Sequence, residues 1–238
     1  MATWIAHLRL AENLLARIPD LDEGQFAIGN IAPDSGVPDE KWEHFDPPKE
    51  VTHFLRPGDS ESDIHDLEFY RVYLAAIDPQ DTGRFSMRLG YFFHLLADQL
   101  WSNTIGRRTE ERYSAEFNTD PEFIWKIKGD WYGLDLIHVR DHPHSLFWRV
   151  FLGAQPDALD LNFLPRPAVE HQLNYIKTFY QRRDEEIQKM VQRPFDYLSK
   201  AEMDGFVADS AERIFLAYQL LWPKRPQLSG KHSVLQIA

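Results

Sequence analysis

The hydrophobic positions along the chain recur mainly at helical spacing, and no stretch of useful length alternates between apolar and polar residues. Proline and glycine cluster between residues 33 and 60, where the pattern predicts an extended loop. The sequence therefore predicts an all-α fold. The predicted helices cover residues 3–18, 22–32, 62–77, 82–105, 120–142, 144–153, 168–191 and 199–222.

No internal repeat, low-complexity stretch or linker separates these helices into domains. Residues 1–223 are therefore predicted to form a single helical domain. Its last helix is predicted to begin at the capping-box pair Ser199 and Glu202 and to end before Pro223. Residues 224–238 are predicted to be a polar, loosely held tail.

Composition narrows the classes of function. The formal net charge is −11, so bulk charge disfavours binding to nucleic acids or to an anionic membrane surface. The chain has no cysteine, which excludes disulfides, thiolate zinc sites and cysteine nucleophiles. Any metal must therefore be held by histidine, aspartate and glutamate side chains.

The N-terminal segment is apolar but is interrupted by His7, Arg9, Glu12 and Asn13. It has neither the apolar run of a signal peptide nor the length of uninterrupted apolar residues that a membrane-spanning helix needs. A cytoplasmic protein without a transmembrane segment is therefore expected.

The predicted helix at residues 82–105 carries polar side chains in an unexpected place. Its narrow polar strip consists of Arg84, Arg88, Gln99 and Ser102. His94 and Asp98 lie outside that strip, and Asp98 has no Lys or Arg three or four positions away. Because an ionised aspartate is rarely buried without a partner, another part of the chain must compensate Asp98.

Two other predicted helices share this feature. His7 lies at the centre of the apolar stripe of the first helix, and Asp130 lies in the stripe of the fifth. Three helices that each place His or Asp among apolar residues predict a shared site, since each burial is unfavourable unless paired. For Asp130 the alternative is an ion pair with Lys126, four residues earlier.

The remaining histidines give weaker indications. His171 lies opposite the apolar stripe of its helix and is expected to be exposed, and His65 of the adjacent pair His65–Asp66 also points away from its stripe. Three more lie at the end of a predicted helix, where the helix dipole favours histidine even without a metal: His138, His142 and His144.

Histidine and aspartate four residues apart project from one side of a helix and can bind the same divalent cation. Nitrogen and carboxylate ligands without sulfur suit zinc, manganese or iron. The alternative explanation of the buried residues is a purely structural pairing of histidine with aspartate.

Four stretches follow one another within the first 105 residues: WIAHLRLAENLL, FAIGNIAPDSG, EVTHF and LGYFFHLLADQLW. In this order they resemble the zinc-dependent phospholipase C family, specifically bacterial members without a secretion signal. The later stretch GDWYGLDLIHVRDHP is also similar to that branch. The resemblance implies a multi-helix bundle of the phospholipase C and single-strand nuclease type that binds Zn²⁺, as one to three ions.

The resemblance also implies a set of ligands. Asp34, His53, His94 and Asp98 match the residues that hold one metal, and Asp98 matches the carboxylate that bridges to a second metal bound by His7. Asp34 is the candidate general base, because the equivalent aspartate of the family lies near the attacking water.

The chain departs from the secreted members in two respects. Those proteins use the amine of a processed terminal tryptophan as a ligand, whereas this chain begins with Met1, and Asp130 is the candidate replacement. They also bind a third metal through two histidines and a glutamate. Asn103 occurs where one of those histidines is expected, and His138, His142 and Asp130 are candidate substitutes.

The implied function is metal-dependent hydrolysis of phosphoric mono- or diesters, with metal-activated water as the nucleophile and a small-molecule or lipid phosphoester as the substrate. Two alternatives stand beside it. One is an HD-like nucleotide phosphohydrolase, which uses similar ligands. The other is a non-enzymatic helical protein with a structural metal site.

Overall fold

Helices form almost all of the regular secondary structure in the computed structural model of the protein, which describes residues 1–40, 44–224, 228 and 230–237. The predicted all-α class is thereby confirmed. The helices are α1 (Trp4–Leu15), α2 (Glu23–Gly29), α3 (Lys49–Thr52), α4 (Asp66–Phe69), α5 (Thr82–Trp101), α6 (Arg107–Arg112), α7 (Ser114–Thr119), α8 (Phe123–Asp141), α9 (Arg166–Gln181), α10 (Glu185–Gln192) and α11 (Lys200–Lys224).

Shorter elements connect or extend these helices. A π-helical turn at Ser102–Gly106 joins α5 directly to α6, so the helix predicted to end at residue 105 continues beyond it. The predicted loop contains α3 and a pair of two-residue antiparallel strands, β1 (Val37–Pro38) and β2 (Phe45–Asp46). The other turns are 3₁₀ at Ala32–Asp34, Glu61–Asp63 and Val234–Gln236, and π-helical at Tyr70–Leu74 and Phe147–Phe151.

The long helix predicted at residues 168–191 is divided into α9 and α10. Asp184 accepts a hydrogen bond from the N–H of Ile187 at 3.2 Å and so caps the start of α10. A capping aspartate satisfies one of the free N–H groups of the first turn and takes a non-helical backbone conformation itself. The interruption therefore needs neither proline nor glycine.

Helix α5 lies in the centre of the core. Every side chain from Phe85 to Trp101 is buried except that of Arg88, which reaches the surface and pairs with Asp160 at 2.7 Å. The burial that places His94 and Asp98 away from water is thus a property of the whole helix. In the described part of the chain, no helix combines the length and the apolar character needed to cross a membrane.

Helices α2 and α5 cross at glycine. A Cβ atom on Gly29 would lie 2.2 Å from the carbonyl oxygen of Met87, and one on Gly90 would lie 2.4 Å from that of Phe26. Both separations are far below van der Waals contact, so only glycine permits this approach. The close crossing brings Asn30, at the end of α2, against His94 on α5.

Helix α1 is fixed at its start. The hydroxyl of Thr3 accepts a hydrogen bond from the N–H of Ala6 and donates one to the buried carboxylate of Asp135 on α8 at 2.7 Å. The first hydrogen bond caps the helix, and the second ties the helix to α8. With α1 held in this way, His7 points into the core and is fully buried.

The predicted loose tail is instead attached to the body wherever the structure describes it; residues 225–227, 229 and 238 lie outside the described residues. Val234 is fully buried, and its N–H donates to the buried carboxylate of Asp66 at 2.9 Å. The N–H of Leu67 donates to the carbonyl of His232 at 3.1 Å. The described part of the tail is therefore part of the fold.

Candidate metal centre

Five residues predicted as metal ligands meet in the interior, although they come from four separate elements. They are His7 of α1, Asp34 at the end of the 3₁₀ turn, His53 after α3, and His94 and Asp98 of α5. His7, His94 and Asp98 are fully buried, and 1% of the His53 side chain is exposed. Asp34 is the member with the most solvent contact, with 8% of its side chain exposed.

Ligand atoms of His53, His94 and Asp34 lie close enough to one another to bind one cation, and Oδ2 of Asp98 lies beside both histidines. Nε2 of His53 lies 3.3 Å from Nε2 of His94, 3.5 Å from Oδ1 of Asp34 and 3.4 Å from Oδ2 of Asp98. Nε2 of His94 lies 3.8 Å from Oδ1 of Asp34 and 3.5 Å from Oδ2 of Asp98. An ion equidistant from the ligand atoms of His53, His94 and Asp34 could lie about 2.1 Å from each, the length of zinc–nitrogen and zinc–oxygen bonds.

The outer nitrogens of both histidines are engaged, which fixes how the rings are turned. Nδ1 of His94 is 2.8 Å from the carbonyl oxygen of Asn30, so this nitrogen carries the proton and Nε2 presents its lone pair to the cluster. Nδ1 of His53 is 2.9 Å from the hydroxyl of Thr52. Metal-binding histidines typically have such a partner on the nitrogen that faces away from the metal.

The two oxygens of Asp98 face different groups. Oδ2 points to His53 and His94, whereas Oδ1 lies 3.3 Å from Nε2 of His7 and accepts the backbone N–H of Ala2 at 2.9 Å. The ring of His7 stacks on that of His94 at 3.9 Å with an interplanar angle of 7°. His7, His94 and Asp98 thus form a second group that could hold a cation. His94 belongs to both groups, and Asp98 adjoins the first group because its Oδ2 lies 3.4 Å from Nε2 of His53.

Unsatisfied atoms also indicate a missing partner. Three buried atoms of the cluster have no hydrogen-bond partner among the described residues: Nδ1 and Nε2 of His7, and Oδ2 of Asp98. Buried polar groups without partners are rare in proteins and are costly in free energy. A divalent cation would satisfy Oδ2 of Asp98 and Nε2 of His7, and the nitrogen and carboxylate donors suit zinc.

The charges of the cluster lead to the same requirement. Burial raises the pKa of the Asp98 carboxyl, but the attraction of His94 and the N-terminal ammonium outweighs burial and holds the pKa well below its usual range. Burial likewise opposes ionisation of Asp34, yet His94 and His53 lower its pKa to about 2. For His7, burial lowers the pKa of the imidazole, and the nearby His94 adds to this effect. Two ionised carboxylates therefore lie in the interior.

His53 is the group that responds to this negative charge. Burial lowers the pKa of its imidazole, but hydrogen bonding and attraction to Asp34 and Asp98 outweigh burial, so that the pKa is raised. A cation at the centre of the cluster would take the place of that proton. Proton and metal therefore compete for His53, which makes metal affinity pH-dependent.

Asp34 connects the cluster to its surroundings. Its Oδ1 faces the histidines, and its Oδ2 accepts a hydrogen bond from the indole N–H of Trp4 at 3.0 Å.

Near the N-terminus, the ammonium group of Met1 and the side chain of Lys49 both pair with Glu61. The amine of Met1 is thus engaged at the surface rather than in the cluster.

Asp130, the sixth predicted ligand, is not in either group of potential ligands that the described residues form. It is fully buried as predicted, but its Oδ2 accepts the N–H of Tyr197 at 2.7 Å and its Oδ1 lies 3.2 Å from Nε of Arg193. Lys126, the alternative partner, pairs instead with Asp120 at 2.8 Å. Asp130 therefore joins α8 to the segment before α11.

His65 and Asp66 do not act as a pair. Nε2 of His65 lies 3.1 Å from Asp59, whereas the buried carboxylate of Asp66 accepts hydrogen bonds from Gln99 at 2.7 Å and from the backbone of Val234. Their partners are separate, and neither residue is in a group of potential metal ligands among the described residues. The alternative of an HD-like site therefore gains no support from this pair.

The other histidines lie outside the two groups as well. His138 stacks on His142 at 4.1 Å, and Nδ1 of His142 is 2.9 Å from the carbonyl of His138. Burial lowers the pKa of His138 to about 3, and Arg9 adds to the effect. His171 is exposed, as predicted. None of them supplies the third-metal ligands proposed from the sequence, as far as the described residues show.

Sequence reasoning missed two contributors to the centre. Trp4 has no place among the predicted site residues, yet its indole N–H donates a hydrogen bond to Asp34. Asn30 acts through its backbone carbonyl, which no side-chain pattern can reveal. The one signal for Asn30 was its place immediately after Gly29, where two helices approach closely.

The chain matches no family model, and comparison with curated proteins and with solved structures yields no match either. The likeness to phospholipase C therefore rests on the sequence motifs. The geometry of the five clustered residues is an independent observation, because it depends on how the helices pack.

Proposed function

We propose that the protein is a metal-dependent hydrolase of phosphoric esters with a centre of the phospholipase C type. The observation that carries the proposal is that Nε2 of His53, Nε2 of His94 and Oδ1 of Asp34 lie 3.3–3.8 Å from one another. Oδ2 of Asp98 lies 3.4 Å from Nε2 of His53 and 3.5 Å from Nε2 of His94. This spacing suits tetrahedral zinc, and manganese or iron would also accept these donors.

A divalent cation held there would lower the pKa of a water molecule beside it and would place positive charge opposite a phosphate. The chain itself contributes position and desolvation. His94 is oriented by Asn30 and His53 by Thr52, so both imidazoles present Nε2 inward. Asp98 bridges the two groups, and His7 belongs to the second group.

Asp34 is the proposed general base. It is the cluster member with the most solvent contact, so a substrate and a water molecule would approach the centre on its side. Its Oδ2 is held by the indole of Trp4 while Oδ1 faces the histidines. A carboxylate fixed in this way can accept a proton without changing its rotamer.

The competing function is a structural metal site without catalysis. The depth of the cluster favours it, because four of the five side chains have at most 1% exposure. The partial exposure of Asp34 favours an enzyme, since a catalytic site keeps an open position whereas a structural site is closed.

The test combines metal analysis with an activity assay. Protein purified without chelator is expected to contain divalent metal and to hydrolyse bis-(p-nitrophenyl) phosphate in a metal-dependent manner. His53→Ala should abolish the activity, because it removes one of the three mutually close ligands His53, His94 and Asp34. His171→Ala is the matched control and should retain activity, because His171 is exposed and distant in sequence from every proposed ligand.

Each other outcome has a defined meaning. Bound metal without hydrolysis of any phosphoester would favour the structural site. Equal loss of activity in both variants would mean that the activity does not depend on the proposed centre. Protein that contains no metal and binds none would overturn the proposal altogether.

A further inference from the structure

The proposed centre has a preferred side of approach. Among the five clustered residues, all described in the structure, His7, His53, His94 and Asp98 are buried and Asp34 has the most solvent contact, so the approach of substrate is placed on the side of Asp34. The side chain next to Asp34 on that side is Trp4, whose indole donates a hydrogen bond to the carboxylate. The residues around Trp4 would therefore contact the organic group of the phosphoester.

Those surroundings are aromatic. Trp4 lies 6.0 Å from Tyr132 at an angle of 40° and 5.7 Å from Tyr175 at 82°, and Tyr132 lies 6.0 Å from Phe179. We call these four residues, Trp4, Tyr132, Tyr175 and Phe179, the aromatic wall. Tyr175 is 46% exposed, and the other three are partly exposed, so ring surface remains accessible beside the centre.

The carboxylates beside the wall already have hydrogen-bond partners. The nearby carboxylate of Asp135 is buried and accepts hydrogen bonds from the hydroxyl groups of Thr3 and Tyr180, at 2.7 and 2.6 Å. Oδ2 of Asp34 is already occupied by the indole N–H. Burial also raises the pKa of Asp135 to about 7, which reduces its negative charge near neutral pH.

The wall does offer polar groups at its edge. Among the described residues, the hydroxyls of Tyr132 and Tyr175 make no hydrogen bond, whereas that of Tyr180 is engaged with Asp135. Rings inclined to one another can contact both the face and the edge of an inserted ring. The combination suits a flat, uncharged group with polar substituents rather than an aliphatic chain.

We infer that the aromatic wall binds an aromatic ring of the substrate, so that the natural substrate is a small phosphoester that carries an aryl or heteroaryl group. The inference rests on the proposed function, because it assumes that the phosphoryl group is bound at the centre beside Asp34. It goes further by assigning Trp4, Tyr132, Tyr175 and Phe179 to recognition of the organic part.

Non-hydrolysable phosphonates test binding without the chemistry of the leaving group. Calorimetry on the metal-loaded protein would compare phenylphosphonate with methylphosphonate, which share the group that meets the metal. Phenylphosphonate is expected to bind about three- to tenfold more tightly, the range that aromatic contacts provide. Tyr175→Leu should remove most of this preference while leaving the affinity for methylphosphonate unchanged.

Tyr218→Leu is the control, because this half-buried tyrosine packs on α11 against Phe215 and Trp222, away from the cluster. It should retain the preference for phenylphosphonate. Melting temperatures of both variants would show that the fold is intact, and the exposure of Tyr175 makes its replacement mild.

The outcomes separate this inference from the proposed function. Equal affinity for the two phosphonates, with metal bound, overturns the aromatic wall and leaves the metal centre standing. Tighter binding of 2-(trimethylammonio)ethylphosphonate than of phenylphosphonate also overturns it, because the subsite would then prefer a cation. Protein that takes up no metal, and whose binding of phosphonates does not change when metal is added, overturns the proposed function, and the inference with it.

Discussion

Asp98→Asn is the substitution that should affect the centre most directly. The change keeps the shape of the side chain but removes one of two buried negative charges and the carboxylate oxygen that faces His53 and His94. Oδ1 can still accept the N–H of Ala2, so the local backbone has no reason to move. The expected losses are therefore in metal binding and in the stability that bound metal provides.

The size of the effect follows from the position of Asp98, which belongs to the group with His7 and also lies 3.4 Å from Nε2 of His53. Loss of an outer partner of a metal ligand costs about 10- to 100-fold in affinity, so loss of a shared ligand should cost at least about 100-fold. That factor corresponds to about 2.7 kcal/mol. Metal-linked stability of this size changes the melting temperature of a chain of this length by about 5–10 °C.

Elemental analysis and calorimetry with and without chelator would measure both losses. The wild-type protein should contain metal and should lose melting temperature when chelator is added, whereas Asp98→Asn should contain little metal and should not respond. Asp130→Asn is the matched control, because Asp130 is an equally buried carboxylate with its own partners. It should lose about 1–3 kcal/mol of stability without losing metal.

Two results would refute this reasoning. If wild type and Asp98→Asn both lack metal and melt at the same temperature, the buried carboxylate has no ligand role. If Asp130→Asn loses metal to the same extent as Asp98→Asn, then Asp130 is a ligand after all and its observed contacts with Arg193 and Tyr197 are not its functional ones.

Three further predictions concern the supports of the centre. Gly90→Ala should lower the free energy of unfolding by about 1–3 kcal/mol and weaken metal binding, because the added Cβ would press on α2. Gly205→Ala, whose Cβ would meet no atom within 4 Å, should do neither. Equal stability of the two variants in thermal unfolding would contradict the close crossing. Burial raises the pKa of Asp66 to about 6 from 3.8, so its ionisation opposes folding as pH rises from about 4 to 6. In denaturant titrations over that window, the stability of the wild type should fall by up to about 3 kcal/mol more than that of Asp66→Asn, and parallel curves would disprove the shift. Residues added before Met1 should leave metal content unchanged, since its amine pairs with Glu61 and is 38% exposed; loss of metal as severe as in His7→Ala would make the amine a ligand.

Helical periodicity carried much of the information about the centre. It assigned His7, His94 and Asp98 to apolar faces, and all three are fully buried. This succeeded because a helix fixes the relative direction of its own side chains, so the sequence alone decides which residues share a face. Asp34 and His53 lie in irregular segments without periodicity, and only the resemblance to a family pointed to them.

Periodicity failed where the partner of a face mattered. Asp130 has the same kind of position as His7, but α8 turns it toward Arg193 and the backbone of Tyr197 rather than toward the cluster. The sequence showed that Asp130 needs a partner and could not show which one, because that depends on contacts between residues 63 and 67 positions apart. The same limit applies to the tail, whose attachment depends on Asp66.

By itself, then, the sequence determined the all-α class, most of the helices and three of the five residues of the centre, since these follow from local geometry and from the cost of burying polar groups. Tertiary structure decided the rest. The crossing of α2 and α5 at Gly29 and Gly90 sets the distance from Asn30 to His94, and the packing of α1, α8 and α9 gathers the aromatic wall beside Asp34. Both depend on how separate elements fit together, which no single stretch of the chain encodes.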